Sequence, residues 1–287
     1  MAFTKKRIDV TFEMDGAQSN TQTGKRISCR IVSAGSPSMG TADIAIYGMT
    51  LSDMNALSTI GTQFNQIGKN KVSIYAGDSA QSMKLAFQGT IYMAWMDGQA
   101  QPDVPFRVNA YGGLYEAVAK AEPTSVEGSA DIAQIVQQIA KKAGLQFENN
   151  GVKVKISNPY LPGTAREQIL NIARAAGIEW TIENGTVAIW NSAKGRQGRN
   201  VTLSPESGLV GYPSFNQAAI IARSVYNSEI TLGAQVTLKS QIQPANGTWN
   251  VVNVIHEIES EMPGGAWFTV VTMTTVGGDV SAGGAGD

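Results

Sequence analysis

Ile139-Ala-Lys-Lys-Ala-Gly-Leu-Gln-Phe147 returns 33 residues later as Ile172-Ala-Arg-Ala-Ala-Gly-Ile-Glu-Trp180. Each copy closes a helix on glycine and turns at once into an apolar strand. Upstream of the first copy, Ile132, Ile135, Val136, Ile139, Ala140 and Ala143 recur at helical spacing, which predicts a helix from Ser129 to a stop at Gly144. Upstream of the second, Thr164-Ala-Arg-Glu167 forms a capping box ahead of an apolar face of Ile169, Ile172, Ala173 and Ala176. After Gly177, the alternating Ile178, Trp180 and Ile182 run into Asn184-Gly185, and Val187 and Ile189 lead back, a strong hairpin signal. By analogy the first copy should continue from Leu145 and Phe147 through Asn149-Asn-Gly151 into Val152, Val154 and Ile156 as a second hairpin. Asn158-Pro-Tyr-Leu-Pro162 makes a stiff connection between the copies. Two helix–hairpin units are too few for a solenoid, whose stack needs about three or more. They predict a small α/β module of two helices on a short sheet.

Both flanks are β-rich. On the amino-terminal side, the sets Ile8/Val10/Phe12, Ile27/Cys29/Ile31 and Ala42/Ile44/Ile46 alternate with period two, followed by runs at Val72–Tyr75, Leu85–Trp95 and Phe106–Ala110. Turns fall at Asp15-Gly16, Gly35-Ser-Pro37, Gly77-Asp78 and Asp97-Gly98, and Ser52 is placed to cap a short helix through Leu57. On the other side, Asn191–Arg199 is polar and reads as an exposed loop or linker. Strands follow around Ala219–Ala222 and Val225–Ile230. A meander completes the pattern: Gln235–Ile242, a turn at Asn246-Gly247, Trp249–Ile258, a turn at Pro263-Gly-Gly265, and Trp267–Val276. The expected fold is therefore a β-rich α+β chain. Its expected boundaries are a first β domain, a sandwich or a barrel, over 1–115, the α/β insert over 116–196, a second β domain over 197–276 and a flexible Gly-rich tail over 277–287.

Composition narrows the function. Charged residues are 16% of the chain against about 25% in a typical soluble domain. A surface resting on Ser, Thr, Asn and Gln loses little on desolvation and suits a protein buried among neighbours. A formal net charge of −1 argues against a broad basic face for nucleic acid, and Lys5-Lys-Arg7 reads as a solvated terminus. The single cysteine, Cys29, excludes an intrachain disulfide and a Cys-rich zinc site, and its place on an alternating strand predicts a buried, inert thiol. No run approaches the ~20 apolar residues of a membrane span, and the first residues lack a signal-peptide core, so assembly is expected in a reducing cytoplasm. Asn184-Gly-Thr186 and Asn246-Gly-Thr248 match the glycosylation sequon but serve better as turns.

Catalysis finds little support. His256 is the one histidine, in Val254-Ile-His-Glu-Ile258, where it shares a face with Ile258 while Glu257, Glu259 and Glu261 alternate on the other. That placement predicts a structural role. Gly-x-Ser-x-Gly and both Gly-rich phosphate loops are absent from the sequence. The carboxylates form no sequence cluster suited to a metal, and the five Trp residues sit mostly in alternating strands as core. No catalytic, cofactor-binding or metal-binding residue is assigned, and no cofactor is expected.

Three segments carry a resemblance to a known family: Ile132–Phe147 with its repeat at Ile169–Trp190, Leu209-Val-Gly-Tyr-Pro213, and Asn246-Gly-Thr-Trp-Asn-Val-Val-Asn-Val-Ile-His256 with the Pro-Gly-Gly-Ala-Trp267 turn. The plan they mark resembles the baseplate hub proteins (late control D-like) of contractile phage tails and the base of the type VI secretion spike. The resemblance implies two tail-tube-like barrels per subunit. It also implies a trimeric ring of pseudo-six-fold symmetry that joins a six-fold tube to a three-fold spike. Implied partners are two further copies, the tail tube protein, a separate central spike protein, the tape measure and baseplate wedge proteins, with DNA in transient passage through the lumen. The implied location is the tail baseplate of a virion. Two other classes remain open at this point: a peptidoglycan-binding module built on residues 123–191, and a carbohydrate-active enzyme using paired carboxylates.

Overall fold

The computed structural model describes residues 5–14, 19–59, 70–78, 83–197, 200–216 and 218–275. The predicted turn at Asp15-Gly16 and the Gly-rich tail over 277–287 lie outside these residues. The first part contains β1 (Lys6–Glu13), β2 (Asn20–Gln22), β3 (Ile27–Ala34), β4 (Thr41–Tyr47), α1 (Leu51–Leu57), β5 (Lys71–Asp78), β6 (Lys84–Met96), β7 (Pro105–Tyr111) and α2 (Leu114–Val118). The middle part contains β8 (Thr124–Ser125), β9 (Ser129–Asp131), α3 (Ile132–Lys142), β10 (Gln146–Asn150), β11 (Lys155–Ser157), β12 (Tyr160–Leu161), α4 (Ala165–Ala176), β13 (Glu179–Glu183) and β14 (Thr186–Trp190). The last part contains β15 (Asn200–Leu203), β16 (Ser214–Phe215), β17 (Ile220–Val225), β18 (Gln235–Leu238), β19 (Gly247–Ser260) and β20 (Trp267–Thr275).

The alternating residues of β1, β3 and β4 all point inward: Ile8, Val10, Phe12, Ile27, Cys29, Ile31, Ala42, Ile44 and Ile46 are buried in one core. Two further cores lie under the helices of the middle part and between the strands of the last part. The two β-rich parts nonetheless share hydrogen bonds. A 13-stranded sheet runs in the order β16-β17-β20-β19-β3-β4-β7-β6-β5-β1-β2, with β18 joined to β19 and β15 to β18. The joint is β19, whose residues Asn253–Ser260 pair antiparallel with Ala34–Ile27 on one side and, from Asn253 to Ile258, with β20 on the other. Ile258 and Trp267 accordingly belong to the first core although they lie far along the chain.

In the middle part α4 has the capping box expected: the Thr164 hydroxyl accepts from the Glu167 amide at 3.3 Å, and Glu167 Oε2 accepts from the Thr164 amide at 2.8 Å. The β13–β14 hairpin also forms. Asn184 and Gly185 both have positive φ, 52° and 72°, as a type I′ turn requires. The first copy departs from the analogy. β10 pairs in parallel with β14, while β11 pairs with β9, so no hairpin joins β10 to β11. Asn149 explains the difference. Its side chain accepts from the Val152 amide at 2.9 Å and donates to the Val152 carbonyl at 3.2 Å, and Gly151 alone takes a positive φ, 79°. The chain therefore leaves the sheet where a hairpin would return it.

Other boundaries shift for local reasons. α3 begins at Ile132 because Asp131, in extended conformation, accepts the Ala133 amide at 2.8 Å, and Ser129–Asp131 forms β9 instead. α1 is capped by Thr50, not Ser52, since Thr50 Oγ1 accepts from the Asp53 amide at 3.1 Å. Gly77-Asp78 is no turn: both residues pair with Arg7 and Lys6 on β1. β17 ends at Val225, where a strand to Ile230 was expected, and β18 ends at Leu238 before a short 3-10 turn at Gln243–Ala245.

Candidate assembly surfaces

The chemistry-bearing residues are spent on packing. His256 is buried, with Nδ1 2.9 Å from Thr269 Oγ1 and its ring edge-on to Tyr226 at 5.2 Å between centroids. Burial without a charged partner pushes its imidazole down to about 4. Cys29 is free and buried, and desolvation raises its thiol. Among the described residues no group of three or more His, Cys, Asp and Glu is placed to hold a metal ion. Trp180, Trp190 and Trp267 are buried; Trp249 is half-buried, its indole donating to the Ala245 carbonyl at 3.0 Å.

His256 gives the chain an acid-sensitive point. The unfolded imidazole titrates near 6.5, so between about 6.5 and 4 the unfolded state binds the extra proton. Stability from this residue is complete above pH 6.5 and falls as pH drops to 4, by about 3 kcal/mol in all. Denaturant unfolding at pH 7.5 and pH 4.5 should show this loss in the wild type and a smaller one in His256→Gln. Equal losses would assign the acid response to other groups.

Two buried arginines fasten the middle part to its neighbours. Arg166 on α4 donates from Nη2 to the carbonyls of Pro37 at 2.7 Å and Ser38 at 3.1 Å, in the turn between β3 and β4, and lies 4.9 Å over Trp180. Arg196 stands in the segment expected to be an exposed linker, yet only 5% of its side chain is accessible. It bonds Glu148 in two-pronged fashion at 3.2 and 2.9 Å, Glu183 at 3.1 Å and the Leu232 carbonyl at 3.3 Å. The polar residues around it suggested solvent, but the two carboxylates draw the guanidinium inward. Gly195 and Gly233 make room: a Cβ on Gly195 would sit 2.7 Å from the Gly233 carbonyl, and one on Gly233 would sit 2.8 Å from the Trp190 ring.

A broad sheet face stays open to solvent. Across the outward face, Val225, Phe268, Glu257, Arg30, Asp43 and Asn109 lie side by side on six adjacent strands, all half-buried or exposed. Charge alternates along this row, with Arg30 Nε 3.8 Å from Glu257 and Asn109 donating to Asp43. Arg223, in the next row, stacks on Phe268 at 3.8 Å. The main path of the sheet ends at β2 on one side and at β16 on the other, and a branch from β19 through β18 ends at β15. Tyr212 and Phe215, at the β16 end, are 67% and 52% exposed. Periodicity marked these strands but gave no sign of which edge would stay open. No described helix is long and apolar enough to cross a membrane.

The architecture is shared with phage tail proteins. A tail protein from Neisseria meningitidis MC58 superposes with a TM-score of 0.63 at 9% identity, covering 95% of this chain and 97% of that one. The 43 kDa tail protein of prophage MuSo2 from Shewanella oneidensis gives 0.62 at 10% identity, with 93% and 97% covered. An E. coli component of the type VI secretion system, described as structurally similar to the T4 tail proteins gp27 and gp5, gives 0.61 at 12% identity, with 92% and 76% covered. No curated protein matches the chain in sequence. The family described as baseplate hub gp41 matches residues 7–268. That span takes in both β-rich parts and the α/β part between them, and the chain belongs to the baseplate hub gp41 family.

Proposed function

We propose that this structural tail hub protein assembles as a trimeric ring in which each subunit supplies two tube-like modules. Six similar modules then face a six-fold tail tube above, while the three-fold axis faces a central spike below. The supporting observation is the sheet that passes without a break from one β-rich part to the other through β19. A subunit built this way presents two β modules held at a fixed angle, as a ring of pseudo-six-fold symmetry needs. The two ends of its main path, β2 and β16, are different edges. Contacts between such unlike surfaces are head-to-tail, and they close into a ring when the rotation from copy to copy is a whole fraction of a turn.

In this reading the outward face with the Glu257–Arg30–Asp43 row lines the channel. Its cations are matched by neighbours, so it offers a polyanion few free ammonium or guanidinium groups to grip. DNA would pass and not be held. The tube, spike, tape measure and wedge proteins are the expected neighbours, and the virion baseplate the expected location. Chemistry plays no part in this role.

Light scattering after size exclusion tests it. Three copies of the 30.4 kDa chain give a particle of about 91 kDa, and projection images should show a central channel. A chain that stays near 30 kDa, alone and when mixed with its spike protein, would overturn the ring.

A further inference from the structure

Asn-Gly occurs three times in the chain, at Asn150, Asn184 and Asn246. The pair is chemically labile, because glycine has no Cβ to keep its amide nitrogen away from the side-chain carbonyl carbon before it. The three side chains are held differently. Asn150 is buried; its Nδ2 donates to Glu148 Oε1 at 3.0 Å and to the Ile189 carbonyl at 3.2 Å, and its Oδ1 accepts from the Gln197 amide at 3.1 Å. Asn246 is exposed but clamped at both ends, donating to the Ser240 carbonyl at 3.1 Å and accepting from the Ser240 amide at 2.6 Å. Asn184 is exposed and held at one atom: Oδ1 accepts from the Gln88 amide at 2.8 Å, and among the described residues Nδ2 has no partner. The Gly185 amide, in the middle of the turn, has no described acceptor either.

We propose that Asn184 is a site of spontaneous deamidation, and that the contact between the first and middle parts ages at this residue. The Gly185 nitrogen, after giving its proton to base, attacks Asn184 Cγ. A C–N bond forms, the Cγ–Nδ2 bond breaks, and ammonia leaves with a proton from solvent, closing a succinimide ring. Water then opens the ring at either carbonyl, which leaves aspartate or isoaspartate; nothing is oxidised or reduced. The Gln88 amide already donates to the oxygen on which negative charge develops, and the exposed side chain lets ammonia out and water in. Aspartate keeps an acceptor for Gln88. Isoaspartate adds a carbon to the main chain inside a two-residue turn whose φ angles, 52° and 72°, leave no room for it, so the β13–β14 hairpin and the tie to β6 both loosen. The proposal does not depend on the ring.

Ageing the full chain in water enriched in oxygen-18, at pH 6 and at pH 9, followed by peptide mass spectrometry, tests it. Asn184 should convert about tenfold or more faster than Asn150 and Asn246, because only its leaving nitrogen is free. Conversion should be faster at pH 9, where the Gly185 amide loses its proton more readily, and the products should be aspartate and isoaspartate, each carrying the heavy oxygen. Asn184→Asp should keep the melting midpoint of the fresh chain, while the isoaspartate fraction should melt lower. Equal conversion at all three sites, an intact Asn184, or aspartate without isoaspartate would each overturn the proposal. An isoaspartate fraction that melts with the fresh chain would overturn the loosening of the joint.

Discussion

Arg196→Ala lowers the unfolding free energy by about 3–5 kcal/mol, the usual consequence of taking one partner from a buried charge cluster. Arg196 serves β10 through Glu148, β13 through Glu183 and the loop before β18 through the Leu232 carbonyl, while its plane lies 5.9 Å from Trp190. Removing it takes away the cation that both carboxylates share, a guanidinium itself only 5% accessible although Glu148 and Glu183 keep 29% and 16% of their side chains open to solvent. Arg196→Lys keeps the charge but loses the two-pronged bond to Glu148, so an intermediate loss is expected. The triple variant R196M/E148Q/E183Q, which removes the charges together, should recover much of the stability lost by Arg196→Ala. Urea unfolding of these variants at pH 7.5 is the measurement. A loss below about 1 kcal/mol for Arg196→Ala would mean that the cluster is solvated and ties nothing together.

Ile255→Pro is the second large effect. Ile255 pairs with Val270 on one side and with Val32 on the other, so β19 is internal to the sheet at this point. Proline removes a ladder hydrogen bond and its ring disturbs the neighbouring strand, a cost of about 3 kcal/mol or more. Because β19 joins the first core to the last part, the damage should spread to both. Near-ultraviolet circular dichroism, which reports on Trp267 in the first core and Trp249 beside the last, should change at both sites. Ile255→Val, which keeps the strand, should cost about 0.5–1.5 kcal/mol and leave the spectrum intact. If Ile255→Pro melts within 1 kcal/mol of the wild type, the two parts do not depend on a common sheet.

The sequence shows which residues face inward more readily than which strands meet. Ile27, Cys29 and Ile31 alternate, and so do Val254, His256 and Ile258; all six are buried. Period two says nothing about pairing across more than 200 residues, so the β3–β19 joint stays hidden, and with it the continuity of the sheet. The repeat at Ile139 and Ile172 locates both helices correctly. It misleads at Asn149, where a side-chain bond to Val152 outweighs the likeness between the copies. Arg196 was concealed by its surroundings, because a polar segment with two glycines looks solvated until Glu148 and Glu183 are seen beside it.

The pairing of β3 with β19 also sets an order of events in time. Ser28 donates to Glu259, and Ser260 to the Lys25 carbonyl, across 231 and 235 residues of chain. At a synthesis rate of roughly 5–20 residues per second, β3 leaves the ribosome some tens of seconds or so before its partner strand exists. During that interval the first part has an open edge and lacks Ile258 and Trp267 from its core. A nascent chain halted before residue 260 cannot finish the sheet, so it is a poor competitor for a place in an assembly and an easy target for proteases and chaperones. The strand that joins the two β-rich parts thus also sets when the sheet can close, which is only after translation has passed Ser260.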